Sequence, residues 1–370
     1  MDSSIDSQLS AICNNEAPVS YEELNSVSLW AGYGWLKKLK VNTPESRVLV
    51  HKFIDPMRCG GDVSSVSHRR KVASYKNEAT FYARLGPVLQ AHSLSLPTCF
   101  HSGNLNSEVT SIFMEDLRPQ YPIENLCALN REQMVAAVKW LAKLHAVCWH
   151  KGYEEEMGLS EEGCYWRLAT RREEYECINQ EEWGNLKTVA NALSDRLRKG
   201  GSGAGWTIVH GDLKASNLMF SESHKDEYGN CCSRCAGIDF QYTGGGYGAR
   251  DLAMLIVCGC KFDQDDMACG IDMETEVLEL YYECLCDEMS SRDDGEELMQ
   301  SYTISLLRGQ YELALMDMVR FLAGWGMWGN SNYACQRVKA LLRTLDRGEL
   351  MSEQQYRVAL DRQYPIQTIF

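Results

Sequence analysis

Two short segments constrain this chain more than anything else in it: VHGDLKASNLMF, from Val209 to Phe220, and GIDFQ, from Gly237 to Gln241. Asp212 and Asn217 stand five residues apart, the step between Asp and Asn in the catalytic-loop pattern H-R-D-L-x-x-x-N, with Gly211 in place of the Arg. After them the apolar run Leu218, Met219, Phe220 gives way to a turn-rich polar stretch, Ser221 to Asn230, and then to Ala236 to Phe240. That order reads as loop, strand, hairpin, strand, with Asp239 at the end of the second strand. Phosphoryl transfer from a magnesium-bound nucleotide needs one carboxylate to accept a hydroxyl proton, and a second carboxylate and an amide oxygen to hold the cation. Either fragment alone reads as a polar turn or a strand-end acid. The two in this order make Asp212 a candidate base and Asn217 and Asp239 candidate metal ligands.

A chain of 370 residues with 45% hydrophobic content can bury a large core and is long enough for two lobes. The net charge of -14 argues against a nucleic-acid partner, because displacing counterions from phosphates requires a basic surface. An acidic surface still attracts cationic small molecules. Sixteen cysteines scattered through a long chain point to a reducing compartment. The N-terminal MDSSIDSQLSAICNNEAP has no basic residue and no long apolar core, and reads as a tail. The most apolar stretches, Ala253 to Cys260 and Phe321 to Trp328, are too short to cross a bilayer. The expectation is a cytoplasmic protein without a membrane partner.

From Leu24 to Ile54 the pattern is strand-like, with Gly32 and Gly34 interrupting the aromatic run Trp30, Tyr33, Trp35. In RVLVHKFI, alternation puts Val48, Val50, Lys52 and Ile54 on one face and Leu49, His51 and Phe53 on the other. Lys52 reads either as an edge-strand lysine reaching solvent or, in a nucleotide-binding lobe, as a cation for phosphates with Val50 on the adenine. Asp55 to Val72, with Gly60-Gly61 and the basic Arg69, Arg70 and Lys71, reads as an exposed connection. Ala73 to Gln90 reads as a helix with Tyr75, Glu78, Tyr82, Leu85 and Leu89 on one stripe. A carboxylate on a buried stripe needs a partner. Lys52 is one candidate; a rim position or a local pair with Lys76 or Arg84 are the others.

SIFMEDL, Ser111 to Leu117, reads as an apolar strand closed by Arg118, Pro119 and Pro122. It divides the chain into a tail (1–18), a first lobe (19–117) and a second (118–370). Glu115 and Leu117 would offer main-chain groups to an adenine edge, with Phe113 lining the strand before them. Arg131 to His150 reads as a helix burying Met134, Val138, Leu141, Leu144, His145 and Cys148, with His145 a core histidine. Glu154 to Arg198 reads as charged, helical and exposed. Lys199 to Gly205 contains GSGAG but leads into the strand Trp206 to Val209, so it reads as a flexible connection and not a phosphate cradle. Asp251 opens an apolar helix; it reads equally as an acid favoured by the helix dipole or as a brace for the catalytic loop.

The remainder, to Phe370, is helical. Its acids (Asp263, Asp265, Asp266, Asp272, Glu274, Glu276) read as a solvated face and Phe321 to Trp328 as core, though either could shape an acceptor pocket. Cys231, Cys232 and Cys235 lack a second ligand pair at zinc spacing and read as free thiols on a hairpin.

These residues resemble the aminoglycoside phosphotransferase and choline kinase family, which has a protein-kinase-like fold. The likeness is closest to the ecdysteroid kinase-like branch, with which the chain shares HGDLxxxNxMF, the D-F-Q triplet, a helix of the form NEATFYARL and an EDL hinge. The resemblance covers roughly Leu24 to Cys260. It implies an α+β, bilobal fold, with a small, mostly antiparallel β N-lobe and a larger, mainly helical C-lobe. It implies ATP and Mg2+ as cofactors, with Asp212 as base, Asn217 and Asp239 on magnesium, Lys52 on the phosphates and Glu78 as its ion-pair partner. Gly32 and Gly34 of AGYGWL would lie at the phosphates, and Val50, Phe113, Glu115, Leu117 and Met219 would line the nucleotide. Lys214 stands where that branch commonly has an aromatic residue.

The expected reaction is transfer of the γ-phosphoryl group of ATP to a hydroxyl of a small molecule. A protein kinase is disfavoured, because only a few residues separate Asp239 from the Asp251 helix and no A-P-E motif follows. A non-catalytic nucleotide-binding pseudokinase is disfavoured by five competent catalytic positions.

Overall fold

In the computed structural model, which describes residues 3–14, 19–43, 46–59, 62–104, 109–198, 203–225, 228–229 and 231–365, the chain divides into two units. One is Met1–Pro122 with Ala236–Gln241, the other Ile123–Cys235 with Tyr242–Phe370. Gly60-Gly61, residues 199–202 of the glycine-rich connection and part of the Ser221 to Asn230 stretch lie outside the described residues.

The first unit is built on five antiparallel strands: β1 (Tyr21–Ser28), β2 (Gly34–Val41), β3 (Arg47–Ile54), β4 (Cys99–Asn104) and β5 (Thr110–Glu115), in the order β1-β2-β3-β5-β4. The period of two along β3 sorts its side chains between two covers. Leu49 joins Ile5, Leu9, Val19, Leu39, Val41 and Phe113 in one cluster, and Ile54 joins Tyr33 and Tyr75 in another. The first cover is helix α1 (Ser3–Ile12), inside the segment read as a tail. Ile5 and Leu9 are one turn apart and fall on one helical face, and Gln8 adds hydrogen bonds to His101 and Ser111. The second cover is α2 (Val66–Thr80), a wide turn of π type (Phe81–Leu85) and α3 (Gly86–Ala91). Tyr75, Glu78, Tyr82, Leu85 and Leu89 are all buried along it. This helix begins earlier than the apolar stripe suggests. Ser65 caps it by accepting from the His68 N–H, which draws the basic cluster at 69–71 into its first turns.

The second unit contains α4 (Arg131–Cys148), α5 (Tyr153–Glu156), α6 (Arg172–Glu176), α7 (Gln180–Leu197), β6 (Trp206–Val209), β7 (Leu218–Phe220) and the hairpin β8 (His224–Lys225) and β9 (Cys231–Cys232). β10 (Cys235–Gly237) runs where the chain passes between the units. There follow β11 (Gly244–Tyr247), α8 (Ala249–Cys258), α9 (Met267–Ser290), α10 (Gly295–Ser301), α11 (Ile304–Trp325), α12 (Ser331–Asp346) and α13 (Glu353–Gln363). α4 opens on an Asn130/Gln133 capping box, and the six inward residues expected of it, His145 included, are buried. α11 contacts α7, α8 and α12, and Leu307, Tyr311, Leu315, Met318 and Leu322 are buried along it.

Glu154 to Arg198 is neither one helix nor exposed. α7 lies on α11 and buries Trp183, Leu186, Val189 and Leu193, while Trp166 and Arg171 are buried in the segment before α6. All sixteen cysteines are free thiols, and among the described residues no three or more His, Cys, Asp or Glu side chains gather as a metal would require, Cys231 and Cys232 included.

Two stability tests follow. Leu9 is fully buried, so Leu9→Ala is expected to cost about 2–4 kcal/mol in urea unfolding; a tail would give no change. Asp116 accepts from Lys38 at 2.7 Å and Arg118 at 2.9 Å. Burial pushes its carboxyl up, but these cations and the Arg118 N–H outweigh that and hold it below the usual range. A lowered carboxyl stabilises the fold fully above its ordinary value and loses that contribution as pH falls through the lowered one. The urea-midpoint advantage of wild type over Asp116→Asn should be constant above about pH 5 and shrink below about pH 4.

Candidate active site

Three of the expected residues meet in the first unit. Lys52 Nζ is 2.6 Å from Glu78 Oε2 and 3.1 Å from Asp239 Oδ1. β3 supplies the lysine, α2 the glutamate and the Gly237 to Gln241 segment the aspartate. Its backbone is held by Gly237 N–H donating to Ser95 O and Asn77 Nδ2 donating to Gln241 O, and Phe240 stacks on Phe81 at 3.9 Å. Asp239 has φ 65, a left-handed conformation that Asp tolerates better than most residues, and Gln241 Nε2 donates to its Oδ1 at 2.7 Å. Lys52 is therefore not an edge lysine, and Glu78 takes the long-range partner over Lys76 or Arg84.

Two carboxylates share one ammonium. Burial alone would lower the Lys52 ammonium, but Asp239 and Glu78 overcome that and hold it well above its usual range. Burial pushes Glu78 up to about 7, with Lys52 offsetting part of the effect and Asp239 adding to it. With both carboxylates ionised the cluster carries one surplus negative charge, which a divalent cation would neutralise.

Around it, the β3–β5 register pairs Val50 with Met114, His51 with Phe113 and Lys52 with Ile112. Cross-strand partners share a face, so Phe113 lies opposite Val50 and Lys52. It stacks on His51 at 4.0 Å, inside the cluster under α1, on the face of the sheet away from Lys52. Met114 and Ile112 share the face of Val50 and Lys52. Val50 is buried on the Lys52 face. Glu115 turns its carboxylate to Thr98, and Leu117 is buried, its carbonyl accepting from Gln120 and Tyr121. In the β1–β2 loop a Cβ at Gly34 would strike the Phe53 carbonyl, whereas Gly32 has open space. Between them Tyr33 is buried against His68, its hydroxyl 2.9 Å from Nδ1.

The second unit carries the other residues. The ribbon of β6 and β11 leads from Val209 into His210, Gly211 and Asp212. Asp251, fully buried, accepts the His210 N–H at 2.7 Å and the Gly211 N–H at 2.8 Å. Its Oδ2 also lies 3.2 Å from His145 Nε2, and His145 Nδ1 is 2.8 Å from the Tyr281 hydroxyl. The brace reading of Asp251 holds. Gly211 has φ 82, and a Cβ there would run into the Tyr242 carbonyl, which explains a glycine where the catalytic-loop pattern has Arg.

Past the brace, Asn217 Nδ2 donates to Asp212 O at 2.8 Å and Oδ2 at 3.1 Å, committing the amide nitrogen and leaving Oδ1 as the atom for a metal. Lys214 Nζ is 3.0 Å from Asp212 Oδ2. In the sequence Lys214 stands out only as a departure from the family pattern; its place two residues after Asp212 is the signal for this contact. Met219 is buried in β7.

Beside this loop stands an aromatic group. Tyr165 N–H donates to Gly211 O at 2.7 Å, its ring meets Tyr242 and Phe321 edge-on, and Phe321 stacks with the half-exposed Trp325. The Arg171 guanidinium lies 4.0 Å from the Tyr165 ring centre. The acids after Asp263 have other employment. Asp265 caps α12, Asp266 caps α9, Glu274 binds Arg337 and Tyr333, and Glu276 pairs with Arg131.

A buried lysine–glutamate pair, an aspartate in the D-F-Q turn and a braced HGD loop with its Asn five residues on are the parts of a phosphoryl-transfer enzyme. Residues 35–270 match the model of the phosphotransferase enzyme family, APH, and the chain belongs to that family. It is a phosphotransferase with the family's protein-kinase-like fold: an antiparallel five-stranded first unit and a mainly helical second one.

Among solved structures, an aminoglycoside-3'-phosphotransferase of type VIII is 15% identical, with 91% of this chain and 98% of that one covered and a TM-score of 0.38. A thermostable mutant of aminoglycoside phosphotransferase APH(4)-Ia, in ternary complex with AMP-PNP and hygromycin B, is 12% identical (92% and 98% covered, TM-score 0.45). The amicoumacin kinase hAmiN, in complex with AMP-PNP, Ca2+ and Ami, is 11% identical (100% and 98% covered, TM-score 0.47). A comparison with curated proteins found no match.

Asp251→Ala would leave two buried N–H groups and a buried imidazole without their acceptor, at an expected cost of about 3 kcal/mol in thermal or urea unfolding. A loss below about 0.5 kcal/mol, the level of an ordinary surface substitution, would contradict the bracing role.

Proposed function

We propose that this enzyme moves the γ-phosphoryl group of ATP, bound as its magnesium complex, to a hydroxyl of a small molecule. The observation that carries the reading is the pairing of chemistries: a buried Lys52–Glu78–Asp239 cluster with surplus negative charge, and an Asp212 carboxylate oriented by Asn217 and Lys214. Asp239 and the Asn217 Oδ1 suit a hard divalent cation, which is an oxygen seeker and would supply charge neutralisation on the phosphates. Lys52, held charged by its two carboxylates, would take phosphate oxygens, with Gly32 and Gly34 letting the β1–β2 loop approach them. The nucleotide base would lie on Val50 and Met114, with the main chain at Glu115 and Leu117 at its edge; Met219 is a further candidate for contact with it. Asp212 orients the acceptor hydroxyl and takes its proton.

For the acceptor, four of the six acids that would suit a polycation, Asp265, Asp266, Glu274 and Glu276, are engaged by helix caps and arginines, while Tyr165, Tyr242 and Trp325 stand beside the catalytic loop. That favours an alcohol with an apolar face. The shared HGDLxxxNxMF and D-F-Q motifs support placement in the ecdysteroid kinase-like branch. A protein substrate fits poorly, because Gly244–Tyr247 is used as a strand against β6 and leaves no activation segment after Asp239. The free thiols fit a reducing, cytoplasmic setting. No helix among the described residues is long and apolar enough to cross a membrane.

The test is ATP turnover with magnesium across a panel of small-molecule alcohols. Asp212→Ala is expected to lower kcat by about 10²–10⁴ while magnesium-dependent thermal stabilisation by ATP persists. A variant keeping most of its activity would remove Asp212 from the chemistry. Stabilisation by ATP without turnover on any alcohol would favour the pseudokinase reading.

A further inference from the structure

The second unit contains a cavity of about 180 Å3 away from the loop that carries Asp212. In the ribbon, Gly244 pairs with Val209, the last residue before the catalytic loop, and Tyr247 pairs with Trp206. The cavity lies at the Tyr247 end, about 10 Å of strand from that loop. Helix α11 presents Leu306 and Leu313 to it, seven residues apart and so on one face, and the rings of Tyr247 and Tyr364 close other sides. An engineered apolar cavity of ~150 Å3 in another protein takes up benzene, so this space suits a single ring or a compact branched body.

One cation enters this lining, whose other polar members, Thr303, Ser305, Gln310 and Gln363, are uncharged. The Arg196 side chain, at the end of α7, is only 11% exposed. Its Nη1 bonds Asp361 Oδ1 at 3.0 Å, its single hydrogen bond to a described residue. A guanidinium has five N–H donors, so most of its capacity is unspent although the side chain is largely buried. Burial lowers its affinity for its proton even though Asp361 acts the other way. Asp361 itself is 68% exposed, and exposed ion pairs of this kind contribute little, so its carboxylate exchanges for water at small cost.

We propose that this cavity is a second ligand site, binding a small monocarboxylate whose ring-sized apolar body sits against Leu306, Leu313, Tyr247 and Tyr364 and whose carboxylate takes the free edge of Arg196. The planar fork of arginine matches a carboxylate with two parallel hydrogen bonds. A phosphate dianion would bring two charges to a lining with one cation. An amine would meet that cation directly. The site asks for an acid of moderate size, and no step of the phosphoryl transfer uses it.

The test measures binding directly on the full chain, by calorimetry and ligand-observed NMR with benzoate as the probe, so it stands whether or not the enzyme turns over ATP. Benzoate is expected to saturate at one site, benzylamine not to bind, and ATP with magnesium not to displace benzoate. Arg196→Met should weaken benzoate at least tenfold, and Leu313→Trp, which fills the space, should abolish binding. Asp361→Asn removes the competing carboxylate at an exposed position and should tighten binding several-fold. Failure of benzoate to saturate, its displacement by ATP, or equal affinity in Arg196→Met and wild type overturns the proposal. Should Arg196→Met not fold, unchanged or weaker binding in Asp361→Asn overturns it instead.

Discussion

One ammonium ties together three parts of the chain that lie far apart in sequence. Lys52 on β3 reaches Glu78 on α2 and Asp239 in the D-F-Q turn, and all these contacts are made inside the first unit. A charge in such a place is costly unless paired, so the helix must lie on the lysine's face of the sheet and the turn must return to it. The rest of the unit is arranged around that demand. α2 runs on into α3 to cover the Lys52 face, α1 covers the opposite face, and Phe240 anchors the turn on Phe81. Two acids on one base also leave negative charge in surplus, and that surplus makes the cluster a receiver of cations as well as a structural staple.

The second unit solves a different problem, which is to hold a loop rigid without secondary structure. Backbone N–H groups at His210 and Gly211 cannot join a ladder, and Asp251 accepts both while leaning on His145 and Tyr281. Gly211 allows the chain to pass the Tyr242 carbonyl. With the backbone pinned on both sides, the Asp212 carboxylate is oriented by Asn217 and Lys214 and not by solvent. Preorganised groups of this kind need no rearrangement when charge develops during reaction.

Much of this was legible because it is periodic or local. The Tyr75, Glu78, Tyr82, Leu85, Leu89 stripe, the alternation in β3, the inward face of α4 and the five-residue step from Asp212 to Asn217 can all be read along the chain. What misled was pairing. Phe113 sits one residue from Met114, and only the register of β5 against β3 shows which of the two shares a face with Lys52. α1 is too short and too polar in composition to stand out until the sheet gives Ile5 and Leu9 something to cover. The charged run from Glu154 to Arg198 hid the buried Trp166 and Trp183 because α11, on which α7 packs, comes more than a hundred residues later.

The sequence by itself determined the class: the HGD loop with its Asn five residues on and the D-F-Q triplet point to a phosphotransferase, and the family match agrees. Tertiary structure alone decided that Asp251 braces a loop, that Lys214 reaches Asp212, that Asp265 and Asp266 cap helices while Glu274 and Glu276 bind arginines, and that Arg196 lines a cavity. The difference is physical. Spacing along a helix or strand fixes which side chains share a face, whereas the identity of whatever covers that face depends on contacts between segments distant in the chain, and those exist only once it has folded.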